Sequence, residues 1–163
     1  MATMNLRRAV RALVLDEADR VLLCRHVVRE TGTVVWAAPG GRIERDETPL
    51  AALRRELREE VGLVVESAPP HVWHQEVVGP DYVAGYDGVV NDYFLVRTAG
   101  FTPRGALTDE ELAAENIHGL RWWHPADIVT HRGRDLFSPR DLATPLAALI
   151  SSGAPREPLP LGL

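Results

Sequence analysis

The chain has 163 residues, 45% of them apolar and 25% charged, and a formal net charge of −5. That length fits one domain able to bury a real core, and the balance of residue types excludes a disordered or fibrous protein. The acidic excess supplies no broad basic field, which excludes duplex nucleic acid as a partner, because neutralising phosphates takes clustered Lys and Arg.

Arg8 to Leu15 is mostly apolar and reads as a largely buried strand. The polar run DEADR at 16–20 breaks it, and Val21 to Val28 is a second apolar run, so the pair predicts a hairpin. Cys24, the only cysteine, lies inside that second run. It predicts a buried thiol without a disulfide and suits a reducing, cytoplasmic setting. The first twenty residues lack a signal-peptide core, and no apolar run reaches about 18 residues, so neither a leader nor a membrane span is expected.

Val34 to Trp36 leads into a Pro39-Gly40-Gly41 turn. Thr48 followed by Pro49 predicts a helix start, since a hydroxyl caps free N–H groups and proline suits the first helical position. Gly62 predicts its end. Along this helix Leu50, Leu53, Leu57 and Val61 recur at helical steps and form the apolar stripe, while Glu56, Glu59 and Glu60 are expected on a separate acidic face opposite it. Beyond it, Leu63 to Glu66 reads as a short strand, the SAPP run at 67–70 as a breaker, and His71 to Val78 and Asn91 to Arg97 as strands around a loop. Residues 99–115 are expected to be a mostly irregular, acidic connection. Ile117 to Trp123 predicts a strand, Pro125 to Val129 a short helix, and Ser138-Pro139 the start of a helix continued by Leu142, Leu146 and Leu149 to Gly153. Residues 154–163 carry three prolines and are expected to be a flexible tail.

The acidic cluster carries the chemistry. Glu56 and Glu60 are like charges at i, i+4, which disfavours an isolated helix, and Glu59 adds a third carboxylate. Arg55 can pair with Glu59 or Glu47 but does not neutralise three. A hard divalent cation does, because Mg²⁺ takes oxygen ligands and keeps waters for a phosphate substrate. The double glycine upstream lets the backbone come close, with a carbonyl as a further ligand. His71, His74, His118, His124 and His131 show no spacing that compels a zinc site. Trp122 and Trp123 point to opposite sides of a strand, one toward a core and one free to stack on a base; Trp36 and Tyr82 serve either packing or a nucleotide.

Gly41, Glu47 and the run Arg55-Glu56-Leu57-Arg58-Glu59-Glu60-Val61-Gly62-Leu63 match every specified position of the Nudix box, and the chain resembles a Nudix (MutT-like) hydrolase. The box spans 41–63. The Pro39-Gly40-Gly41 lead-in and the order of strands extend the likeness over most of the chain, and Ala38 departs from the bulkier apolar residue the family often carries there. The resemblance implies one α/β domain over residues 1–163, an α/β/α sandwich with a mixed sheet between helices. It implies hydrolysis of a pyrophosphate bond in a nucleoside diphosphate linked to another group, with Mg²⁺ as cofactor and Mn²⁺ as a substitute. Carried over by position, Glu56, Glu59, Glu60 and the Gly40 carbonyl hold metal, and Arg55 pairs with Glu47 to orient the helix. The base is either Glu59 or a loop carboxylate, for which Glu115 is the candidate, with Glu110 and Glu111 behind it. Pro80 lies near the place where the ADP-ribose branch carries a proline, and the compact N-terminal hairpin resembles the MutT-like branch; both substrates stay open. The partner implied is a small nucleotide, with a homodimer left open, and a nucleotide- or protein-binding Nudix module without catalysis is the rival reading.

Overall fold

The ten residues of β1 (Leu6–Leu15) organise the sheet. In the computed structural model, which describes residues 3–163, β1 lies parallel to β6 (Gly88–Arg97) along its full length, from Leu6 against Gly88 to Leu15 against Arg97. Met1 and Ala2, counted in the expected domain, lie outside the described residues. β2 (Val21–Val27) turns back antiparallel as expected, through the Leu15–Val21 pair. Asp16 closes that turn by accepting from the Ala18 and Arg20 amides at 3.0 and 2.9 Å. β3 (Val34–Ala37), β5 (His71–Val78), β7 (Ile117–Trp123), β8 (Leu136–Ser138) and β9 (Leu159–Leu161) complete a mixed sheet of order β8-β3-β2-β1-β6-β5-β9, with β4 (Gly40–Arg42) on β1 and β7 on β2.

Alternation along β1 sends residues to two helical layers. Val10, Ala12 and Val14 pack under α1 (Pro49–Glu60) with Leu53, Leu57 and Val61. Leu13 and Leu15 face the other layer, α3 (Pro125–Thr130) and α4 (Ala143–Ser152), with Trp73, Trp123, Ile128, Leu146 and Leu149. This is the expected α/β/α sandwich. Trp123 is the buried member of its pair, and Trp122 donates its ring N–H to the Phe101 carbonyl at 3.0 Å and packs edge-on against Phe101. Trp36 is core as well, its ring N–H on Asp135 at 2.9 Å.

Several local expectations are corrected. Leu63–Glu66 forms no strand, because the Arg54 guanidinium takes the Val65 and Glu66 carbonyls, both at 2.9 Å. Residues 99–115 contain α2 (Asp109–Ala114), opened by a capping box in which Thr108 and Glu111 exchange side-chain and backbone bonds. Ser138 belongs to β8, extended beside Ala37, so the last helix begins at Ala143. The tail is tied down: β9 pairs in parallel with β5, and Gln75 donates to the Gly162 carbonyl at 2.6 Å. Pro160 is tolerated there because an edge strand leaves one side of its backbone unpaired.

Candidate active site

The predicted turn at Pro39-Gly40-Gly41 is a strand lying across β1. Pro39 accepts from the Ala12 amide at 2.9 Å, and Gly40 and Gly41 stand opposite Arg11 and Val10. A side chain at Gly40, where φ is 144°, would put its Cβ 2.0 Å from the Val10 carbonyl oxygen; one at Gly41 would meet Glu56 Oε1 at 2.6 Å. The glycines thus let α1 press its carboxylates against β4.

The helix itself follows the sequence: Thr48 accepts from the Ala51 amide at 3.1 Å, Pro49 opens the first turn, and Gly62 takes φ 78° beyond the end. The acidic residues are not on a face opposite the leucines. Glu56 and Glu60 are 7% and 2% exposed, buried beside Leu53 and Leu57. Glu60 Oε2 accepts from the Gly40 amide at 3.0 Å and stands 4.0 Å from Cys24 Sγ. The Gly40 N–H thus touches the cluster directly. Burial and the Glu56 charge push the Glu60 carboxyl up to about 8.

Arg55 and Glu47 pair as expected. Two guanidinium nitrogens contact the Glu47 carboxylate at 2.8 and 2.9 Å, a bidentate match, and another bond of 3.1 Å runs to the Arg42 carbonyl. The Arg55 bonds and the Glu44 amide draw Glu47 down to about 2. Arg55 also bonds Glu56 at 2.9 Å and lies 3.6 Å from Glu59.

Glu115 arrives from the far end of α2. The segment before that helix is stitched to the last turn of α1: the Arg104, Ala106 and Leu107 amides donate to the Val61, Arg58 and Glu59 carbonyls, each at 3.0 Å. Those are carbonyls a helix end leaves free. Glu56, Glu60 and Glu115 each bring an oxygen to within 4.8 Å of the others. Partial burial and the charges of Glu56 and Glu59 raise Glu115. Glu59 lines the same cleft, beside Arg55 rather than inside that trio; Glu111 is spent on the capping box and Glu110 is exposed. Three converging hard oxygens, two of them buried and underneutralised, are a donor set suited to a hard cation.

Three residues of the cleft escape a reading for acidic motifs: Arg7, Arg11 and His26. Burial and Arg11 lower Arg7, and the same two causes bring His26 to about 4. Arg11 donates to the Ala38 carbonyl at 3.1 Å. Arg7 and Arg11, four apart and so on one face of a strand that also carries Arg8, were the available signal. Both also line a second cavity of about 510 Å³, with Gln75, Tyr82, Asn91 and Phe137, so it adjoins the acidic cleft of about 530 Å³.

Residues 5–142 match the NUDIX domain family. The chain belongs to that family. This NUDIX domain is 36% identical over 122 residues to the human 8-oxo-dGDP phosphatase NUDT18, an alignment covering 74% of this chain and 33% of that protein. It thus spans about a third of the length of that relative. It is 35% identical over 120 residues to the CTP pyrophosphohydrolase of Escherichia coli, covering 74% of this chain and 78% of the other. A solved NUDIX hydrolase from Nitrosomonas europaea shares the fold with a TM-score of 0.66 at 19% identity, over 94% of this chain and 93% of that one. No helix among the described residues of the NUDIX domain is long and apolar enough to cross a membrane.

Proposed function

We propose that this NUDIX domain is a Mg²⁺-dependent hydrolase that cleaves a pyrophosphate bond of a nucleoside di- or triphosphate or a related nucleotide. The observation that carries the reading is the convergence of Glu56, Glu60 and Glu115 in a cleft that Arg7 and Arg11 also line. Glu56 and Glu60, with Glu59 beside them, would hold Mg²⁺, which when bound neutralises phosphate charge and lowers the proton affinity of water.

The residues divide the remaining work. Arg7 and Arg11 bind the phosphate chain opposite the carboxylates and hold it in place, which is most of what phosphoryl transfer asks of a protein. The second cavity takes the nucleoside: Asn91, half-buried and anchored at 3.0 Å on the buried Gln75, offers its amide to a base edge, and the exposed Tyr82 offers a ring. A water oxygen bonds to phosphorus as the bridging P–O bond breaks, the bridging oxygen leaves with the departing phosphate, and Glu115, at the exposed end of α2, takes the water's proton. Glu59 is the competing base, held beside Arg55. The named activities of the human and E. coli relatives support a nucleoside di- or triphosphate substrate.

The test is phosphate and pyrophosphate release from CTP, 8-oxo-dGDP, oxidised triphosphates, ADP-ribose and NADH, with Mg²⁺ and with chelator. Turnover of at least one compound that requires the cation is expected. Tight calorimetric binding without turnover of any would instead establish a binding module.

A further inference from the structure

A second cluster of metal-binding groups lies on β5 and β6, and none of its residues lines the acidic cleft. His74 Nδ1 stands 2.6 Å from Asp92 Oδ1, and His71 Nε2 stands 2.9 Å from the same oxygen and 3.1 Å from the Trp73 carbonyl oxygen. The three side chains bring their ligand atoms to within 4.8 Å of one another and remain partly open to solvent.

This convergence is constructed by the backbone. In a regular strand, residues three apart point to opposite faces, so His71 and His74 would not meet. The β5–β6 register breaks between them: His71 faces Phe94 while Trp73 faces Tyr93, leaving Val72 as an extra residue. Such a bulge re-aims the side chains beside it, and here it turns His71 to the side of the sheet that carries His74 and Asp92. The His71 ring is then held flat against Phe94, centroids 4.9 Å apart and planes 23° apart. The remote nitrogen of His74 faces Glu76 at 3.9 Å, outside hydrogen-bond distance.

We propose that His71, His74 and Asp92 form a binding site for a single zinc ion, separate from the acidic cleft, that clips β5 to β6. Two imidazole nitrogens and a carboxylate oxygen are a zinc donor set, with the fourth position left to water or to the Trp73 carbonyl. The soft-to-borderline nitrogen ligands separate it from the all-oxygen cluster of α1, which prefers Mg²⁺. The site stands whether or not the acidic cleft hydrolyses anything.

The experiment is a Co²⁺ titration of the metal-depleted full chain in a large excess of Mg²⁺, read by visible absorption. Nitrogen-bound, four-coordinate Co²⁺ absorbs far more strongly than Co²⁺ in an octahedral oxygen site. One equivalent of strongly absorbing Co²⁺ per chain, displaced by one equivalent of Zn²⁺, is expected. Asp92→Asn, which keeps the shape of the side chain, and His74→Ala are each expected to weaken that binding about tenfold or more, and Glu56→Gln to leave it unchanged. Circular dichroism of each metal-free variant confirms the fold, and Asp92→Asn alone decides if His74→Ala is unstable. No absorbing species in the wild type, or one that survives Asp92→Asn, or one lost with Glu56→Gln, overturns the proposal.

Discussion

Replacing Glu60 with Gln should stabilise the metal-free protein increasingly as pH rises above 4.5, with the gain complete near 8. Glu60 is 2% exposed, it shares its surroundings with the Glu56 carboxylate, and its carboxyl is raised from 4.5 to about 8. Between those values the folded chain keeps a proton that the unfolded chain has lost, so stability falls as pH rises. The whole shift corresponds to an upper bound of about 5 kcal/mol at about 1.4 kcal/mol per unit. Water entering the cleft and relaxation of the carboxylates reduce it, leaving about 2–3 kcal/mol. In Glu60→Gln the Gly40 amide keeps an oxygen acceptor and the titration disappears.

The assay is urea denaturation of both chains in chelator from pH 5 to pH 9. The two midpoints should nearly coincide at pH 5 and diverge in favour of the variant up to pH 8.5. His26 does not confuse the comparison. Held at about 4, below its ordinary 6.5, it contributes stability that is complete above 6.5 and lost as pH falls through 4, and it does so in both chains. Adding Mg²⁺ at pH 8.5 should restore the wild type and leave the variant where it was. Stability curves that run parallel across the whole range would refute the claim that Glu60 is a buried, underneutralised carboxyl awaiting a cation.

Glu59→Gln should lower kcat by about 10²-fold or more, the scale of losing part of a metal or base site, with the thermal midpoint almost unmoved because Glu59 is half-buried and its ion pair with Arg55 is long, 3.6 Å; an unchanged rate would remove it from the machinery. Gly41→Ala should fold, since Gly41 is not among the positive-φ glycines, yet its Cβ would strike Glu56 Oε1 at 2.6 Å. A loss of roughly 10- to 100-fold in Mg²⁺ affinity by calorimetry is expected from that displacement. Removing residues 159–163 should expose the β5 edge and the fully buried Trp73, lowering stability by about 1–3 kcal/mol in urea denaturation, where an unchanged midpoint would mean that β9 adds nothing.

How far the sequence discloses this molecule depends on the range of the interaction. The limits of α1 were readable because Thr48, Pro49 and Gly62 act on backbone groups within a turn of themselves. The Arg55–Glu47 pair and the run of Glu56, Glu59 and Glu60 were readable as a motif for the same reason of short spacing. The burial of Glu60 runs against the expected opposite face although the spacing encodes it: at about 100° per residue, seven positions after Leu53 return to within about 20° of it. A carboxylate that falls inside the apolar stripe is a stronger sign of a cation site than one on a solvated face, because burial removes the water that would otherwise neutralise it. Longer-range features left no such trace. β9 takes its order from a strand edge formed far earlier in the chain, and Pro160 argued locally against any strand. Glu115 reaches the cleft only because residues 104–107 cap the carbonyls at the end of α1, a contact that no local pattern encodes. His71 and His74 are the clearest instance. Strand periodicity places them on opposite faces, and one unpaired residue, Val72, reverses that. Bulges are set by register against a partner strand rather than by residue type, so a pattern of ligands built on one is visible only after the strands have paired.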